Sequence, residues 1–296
     1  MKRLLLLYNP HAGKGKIKSR IPDIVDSFTK AGWLVTIRPT QGKGDAVTAA
    51  GDLGGDFDRV VCCGGDGTLH ETVTGLMSLP CRPPVGYLPA GTTNDFARNL
   101  HLPRSYTGKT ETAAGGVLRP VDIGSFNSEY FIYVAAFGAF TDVAYDTPQQ
   151  FKNMFGHLAY LLEGAARLTS LQSYRLRVEH DGGMEEGDFI YGMVSNTVSV
   201  GGFKGISPDL VELDDGLFEV VLVRQPQNAA QLQSIVRSLV QTTPDPGGAV
   251  VAFRTAHLRV TCADELPWTL DGEYGGAPRV AEIRNVKQAV MIAHGK

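Results

Sequence analysis

The sequence predicts an α/β domain built on a mostly parallel sheet, followed by a β-rich second domain. Three observations carry that expectation. Apolar strand-like runs alternate with helix-period segments through the first third of the chain. Loops rich in Gly, Asn and Asp follow the first, third and fourth of those runs. After about Pro120 the texture changes to short strand signals with few helical ones. Strand–helix alternation implies a parallel sheet covered by helices, and ligands of such sheets sit beyond the carboxyl ends of the strands.

Taken in order, residues 3–8 read as a buried strand and 9–16 as a Gly/Lys-rich loop. Ile17, Ile21, Ile24, Val25 and Phe28 recur at helical spacing, so an amphipathic helix follows and Gly32 ends it. Residues 34–38 form the second strand, 45–53 a helix, 59–63 the third strand, 69–78 a helix and 85–89 the fourth strand. Beyond Pro120, residues 131–136, 174–180, 189–195, 217–223, 258–262 and 280–284 read as strands. Helical spacing recurs only in 151–168 and 229–240, and 243–248 is a Pro/Gly loop.

The bulk properties exclude several classes. At 296 residues the chain is long for one domain, and 43% hydrophobic with 20% charged residues is the composition of a globular protein with a real core. A net charge of −3 argues against a nucleic-acid binder that relies on global charge. Cys62, Cys63, Cys81 and Cys262 show neither metal-ligand spacing nor a disulfide framework, which fits a reducing cytoplasm. Lys2-Arg3 and the leucines of 4–7 are too short a run for a signal peptide. No stretch approaches the ~20 apolar residues that span a bilayer, so a chain of this kind that handles lipid works from the membrane surface.

The chemistry concentrates in a few loops. Gly64-Gly65-Asp66-Gly67-Thr68 lies where a buried strand hands over to a helix. Glycines let a ligand approach the main chain, and amides at a helix start attract anions. Gly-Asp-Gly is also an ordinary turn. The loop from Asn9 to Lys16 carries two glycines and two lysines but lacks a P-loop ending, and it reads equally as a solvated basic turn. In Pro89-Ala90-Gly91-Thr92-Thr93-Asn94-Asp95-Phe96-Ala97-Arg98, the hydroxyls suit phosphate or ribose, and Arg98 suits phosphate oxygens. Asn94 or Asp95 alternatively caps a helix. Glu212-Leu213-Asp214-Asp215-Gly216-Leu217 is an acidic turn of the kind that takes Mg²⁺, or an acidic hairpin and nothing more. Asp271-Gly272-Glu273 supplies alternate carboxylates, suited to a general base for a substrate hydroxyl, though the isolated pattern is more often a plain turn.

Together these motifs, from Asn9-Pro10 to Glu273, resemble the diacylglycerol-kinase-type lipid kinases, which include sphingosine and ceramide kinases. Gly-Gly-Asp-Gly-Thr alone is shared with NAD kinases and phosphofructokinases, and the Gly-Thr-Thr-Asn-Asp-Phe-Ala-Arg loop is the more specific part. The resemblance implies a Rossmann-like, NAD-kinase-like α/β domain (1–122, with 286–296 returning to it) and a β-sandwich lipid-substrate domain (123–285). It implies that Asn9, Pro10, His11, Ala12, Gly13, Thr40, Asp66, Gly67, Thr68, Leu69, His70, Glu71, Thr72 and Thr92 line an ATP site. His11 and His70 are carried by those loops without an assigned role. Lys14, Gly65, Asn94 and Arg98 join the site from the loop chemistry above, and Asp66 would act through a catalytic Mg²⁺. A structural Mg²⁺ would be held by Asp215 and the main-chain oxygens of Glu212 and Leu217. Glu273 would accept the proton, with Asp271 beside it on the substrate or metal.

The implied reaction moves the γ-phosphoryl of ATP to a lipid hydroxyl such as that of diacylglycerol, at the inner face of the membrane. Similar proteins are often homodimers. Phe137, Phe140, Phe151 and Phe155 are candidates for acyl-chain contact, with core packing the better reading of each. An NAD-kinase-like enzyme and a non-catalytic nucleotide-binding regulator are the alternatives.

Overall fold

The computed structural model describes residues 1–138, 172–197, 212–241, 245 and 247–295. The chain divides into two compact units, Met1–Asp122 with Gln288–Lys296, and Ile123–Lys287.

In the first unit, β1 (Lys2–Tyr8), β2 (Trp33–Pro39), β3 (Arg59–Gly64) and β4 (Val85–Pro89) run in the order β2-β1-β3-β4, every pair parallel. Leu4, Leu5, Leu6 and Leu7 are all fully buried. Both faces of β1 are therefore covered, which is why its sequence is a continuous apolar run rather than an alternation. The cover comes from α1 (Ile21–Lys30), α2 (Asp45–Leu53), α3 (Asp66–Met77) and α4 (Tyr106–Gly115), with α2 packed on α3 and α1 on α4. Ile24 and Phe28, one turn apart, are the buried side of α1.

Several elements differ from expectation. Residues 12–20 form a 3-10 helix where the sequence predicts a loop and a helix start. α3 begins at Asp66 rather than Leu69, because Gly65 is extended as its N-cap and Asp-Gly-Thr makes the first turn. α4 was not expected; Ser105 caps it, its Oγ accepting the Gly108 amide at 3.0 Å.

The end of the last strand completes this sheet beside β4, with Ile292 opposite Val85 in parallel register. Its ties are the Gln288 amide to Asp122 Oδ1 (2.6 Å), Arg82 Nη1 to the Ala289 carbonyl (3.1 Å) and the Gly295 amide to the Leu100 carbonyl (2.9 Å). His294 is 3% exposed, and burial, with Arg119 and His101 nearby, lowers its imidazole to about 4. The unfolded value, near 6.5, lies above that, so the unfolded chain takes up the proton first. This contribution is fully present above about pH 6.5 and is lost as pH falls toward 4, on the order of 3 kcal/mol in all. His294→Phe should flatten the slope of stability against pH over that window in urea melts. An unchanged slope would assign the pH dependence to other groups.

The second unit begins inside β5 (Val117–Phe126) and continues through β6 (Glu129–Phe131), β7 (Val134–Gly138), β8 (Tyr174–His180) and β9 (Gly183–Ser195). It then runs through β10 (Phe218–Arg224), α5 (Ala229–Gln241), β11 (Val250–Thr255), β12 (His257–Cys262), β13 (Trp268–Leu270), β14 (Glu273–Tyr274) and the first part of β15 (Val280–His294). Pairing follows β14-β13-β7-β9-β8-β12-β15, with β10 on β9 and β11 on β10. The early half of β9 pairs with β8, and its late half pairs with both β7 and β10. Gly187, at φ +154°, lies near the changeover. A strand that changes partners in this way lets a sheet turn a corner into a sandwich.

Trp268 lies at 4.8 Å from Phe137 and 5.1 Å from Phe126, centroid to centroid, inside the core of this unit. Phe137, 1% exposed, is thus a core residue. The helix expected at 151–168, with Phe151 and Phe155, lies outside the described residues, as does Phe140. No helix among the described residues is long and apolar enough to cross a membrane.

Candidate active-site loops and carboxylates

The glycine-rich loops of the first unit leave the carboxyl ends of three neighbouring strands, β1, β3 and β4. Backbone pairing continues one step beyond the strands. The Asn9 amide donates to the Cys63 carbonyl (2.9 Å), Ala90 to Gly64 (2.8 Å) and Thr40 to Tyr8 (2.9 Å). The loops then touch directly. A Cβ on Gly91 would stand 2.6 Å from Gly65 Cα, so a side chain there would force the two loops apart. Gly13, at φ +58°, would place a Cβ 2.7 Å from the Ala90 carbonyl oxygen. Asn9 Nδ2 reaches Thr68 Oγ1 at 3.4 Å, while Asn9 Oδ1 accepts the His11 amide at 2.9 Å.

The amides of the first turn of α3 have no partner within the helix. They start directly after Gly65, where the loops meet, and this is the anion-attracting end of the helix. Asn94, at φ 52°, is a loop brace rather than a helix cap. Its Oδ1 accepts from the Gly91 amide (2.9 Å) and Tyr87 hydroxyl (3.3 Å), and its Nδ2 donates to the Gly91 carbonyl (2.8 Å). Asp66 Oδ2 accepts the Asp95 amide at 2.9 Å and Oδ1 the Phe96 amide at 3.3 Å. The central carboxylate of one loop thereby holds the next, along with the 3-10 helix Phe96–Leu100 that carries Arg98. Arg98 is half-exposed, its Nε 3.9 Å from Asp95 Oδ1.

Other expected lining residues turn elsewhere. Leu69 and Thr72 are fully buried, and Thr72 Oγ1 donates to the Thr68 carbonyl at 2.8 Å. Glu71 directs both oxygens to the start of α2, accepting the Gly44 amide at 2.8 Å and the Ala46 amide at 3.2 Å. Gly44, the N-cap of α2, has no side chain to do this, so Glu71 caps a neighbouring helix and fixes the loop that starts at Thr40. Thr92 is exposed, Thr40 is buried, and Ala12, Gly13 and Lys14 begin the 3-10 helix next to Pro10. His11 is exposed and His70 half-buried.

In the second unit, Leu270 and Glu273 pair across a two-residue turn. Its central residues, Asp271 (φ 52°) and Gly272 (φ +87°), both have the positive φ that a type I′ hairpin needs. Asp271 is 5% exposed. Its Oδ2 accepts the Ile132 amide (2.7 Å), and Oδ1 accepts those of Tyr133 (2.9 Å) and Val134 (3.1 Å). Its own amide donates to the Val134 carbonyl (2.8 Å). Glu273, two residues on, is exposed. Alternate positions have thus separated a buried brace from an exposed carboxylate.

The acidic turn at 212–217 does not fit the expected Mg²⁺ as it stands. Asp215 Oδ1 accepts the Leu217 amide at 2.8 Å, and Oδ2 is paired with Arg254 Nη2. Arg254 Nε also donates to Glu219 Oε1 at 3.2 Å. Among the described residues no group of three or more His, Cys, Asp or Glu side chains could hold a metal ion. Burial pushes the Glu219 carboxyl up to about 7, with Arg254 opposing the rise. Nothing local in the sequence marks Arg254; only the strand register brings it to the turn.

Glycine-rich loops that meet main chain to main chain at the carboxyl ends of parallel strands, beside a helix start, suit a phosphate-bearing ligand, and the comparisons give the class as a kinase. Residues 3–126 match the diacylglycerol kinase catalytic domain, and residues 136–293 match the YegS C-terminal NAD kinase beta sandwich-like domain. The diacylglycerol kinase of Bacillus subtilis (strain 168) is 36% identical over 278 residues, 93% of this chain and 91% of that protein. The diacylglycerol kinase of Staphylococcus carnosus (strain TM300) is 34% identical over 292 residues, 98% and 94% of the two chains. In fold, the chain is similar to a crystal structure of a diacylglycerol kinase from Bacillus anthracis str. Sterne, with a TM-score of 0.77, 21% identity and coverage of 99% and 97%. The chain belongs to the diacylglycerol kinase family. It is a lipid kinase, and that membership implies ATP as the phosphoryl donor.

Proposed function

We propose that the enzyme transfers the γ-phosphoryl of ATP to the hydroxyl of diacylglycerol, acting from the cytoplasm at the inner face of the membrane. The observation that carries the nucleotide part is the direct apposition of Gly65 with Gly91 and of Gly13 with Ala90. Main chain lies where side chains would otherwise stand, beside the start of α3. Phosphoryl transfer depends mostly on positioning and charge stabilisation. Gly65, Gly67 and Thr68 hold phosphate through amides and hydroxyl, and Asn9 positions Thr68. Asp66 and Asn94 keep the loop of 89–95 in place, and Arg98 offsets negative charge.

Mg²⁺ carried with the nucleotide would supply charge neutralisation of the phosphates. Asp66, which braces the loop of 89–95 through two amides, would lie near that ion. Glu273 takes the proton of the lipid hydroxyl, and Asp271 holds the hairpin from which Glu273 projects. The test is a radiolabelled-ATP assay against a panel of lipids in mixed micelles, with NAD in the same panel. Label is expected in diacylglycerol. Label appearing only in NAD would overturn the reading in favour of a dinucleotide kinase.

A further inference from the structure

We infer that in this chain the Arg254 guanidinium, rather than a divalent cation, holds the acidic turn at 212–217. Three observations converge on it. Strand register sets Arg254 directly opposite Glu219 in the β10–β11 pair, so the ladder fixes where its side chain starts. Its planar fork then bridges two carboxylates, Nε to Glu219 Oε1 at 3.2 Å and Nη2 to Asp215 Oδ2. A guanidinium has five donors and no acceptor, and a fork of this shape matches paired carboxylate oxygens.

The second observation is that the remaining Asp215 oxygen already accepts the Leu217 amide at 2.8 Å. Mg²⁺ demands near-ideal octahedral oxygen geometry at about 2.0–2.1 Å. The Arg254 guanidinium already occupies the Oδ2 side of Asp215, and a second cation beside it would be repelled. The third is a further cationic side chain. A Cβ on Gly216 would lie 3.0 Å from Lys287 Cδ and 3.7 Å from Cε, so the Lys287 stem crosses the turn itself. The positive charge that an acidic turn requires is thus supplied from within the polypeptide. This conclusion does not depend on which lipid the enzyme phosphorylates.

Thermal unfolding of the nucleotide-free full chain tests it, in EDTA and in millimolar MgCl₂. Anything that binds only the folded state raises its midpoint. The wild-type midpoint is expected to be the same in both, and Arg254→Gln should lower it by roughly 4 °C. A wild-type midpoint that rises with Mg²⁺, the rise vanishing in Asp215→Asn, would overturn the inference. So would an Arg254→Gln midpoint equal to that of wild type. Should Arg254→Gln not fold, Mn²⁺ titration of the nucleotide-free wild type, followed by electron paramagnetic resonance, decides the matter. No tightly bound Mn²⁺ is expected, and one equivalent lost in Asp215→Asn would refute the assignment.

Discussion

Glu273→Gln should lower kcat by about 10²–10⁴-fold, the span expected for removal of a positioned general base, while nucleotide affinity stays within about twofold. Glutamine keeps the shape of the side chain and removes only its capacity to accept a proton. Glu273 is exposed on a two-residue hairpin whose backbone is fixed by Asp271. Its replacement should therefore leave the melting temperature within a degree or two, since an exposed substitution of this kind seldom exceeds ±0.5 kcal/mol. Steady-state kinetics beside nucleotide titration separates the outcomes. A variant that keeps kcat within threefold of wild type would move the base elsewhere, and equal absence of turnover in both proteins would favour a nucleotide-binding regulator.

Asp271→Asn should instead unfold the hairpin it holds. The carboxylate accepts three consecutive main-chain amides in a buried position. An asparagine oxygen can serve one side of that cluster, but its NH₂ must then face a donor. Leaving buried amides unpaired costs about 1–3 kcal/mol each, so a loss of roughly 2–4 kcal/mol in urea-derived stability is expected, with activity falling as Glu273 loses its place. Full stability with no activity would mean that Asp271 acts chemically rather than as a brace.

Much of the fold was legible because its signals are local. The leucines at 4–7 announce a strand covered on both faces, and α2 and β4 fall where spacing puts them. α4 escaped because Tyr-Thr-Gly-Lys-Thr-Glu-Thr-Ala-Ala-Gly has little apolar periodicity; its Ser105 cap and its small buried residues Ala113 and Ala114 stabilise it in context. At the candidate site, sequence identifies glycines and carboxylates but not the direction in which a carboxylate points. Asp66 meets amides 29 and 30 residues away, Glu71 meets 27 and 25, and Asp271 meets 137 to 139. Such partners follow from topology, so the local sequence does not show that Asp66, Glu71 and Asp271 brace neighbouring segments. Arg254 is the converse case, a residue with no motif whose place is set by the register opposite Glu219.

The first unit is finished by the last strand of the chain. Ile292 pairs beside Val85, Gln288 binds Asp122, and Gly295 binds Leu100. During synthesis, residues 1–122 leave the ribosome with the flank of β4 uncovered, and residues 123–287 must be made before the covering segment exists. At about 5–20 residues per second, that interval is roughly ten seconds or more. The first unit, although translated ahead of the second, is the unit that completes last, and until then the flank of β4 is an open strand edge that can pair with a neighbour.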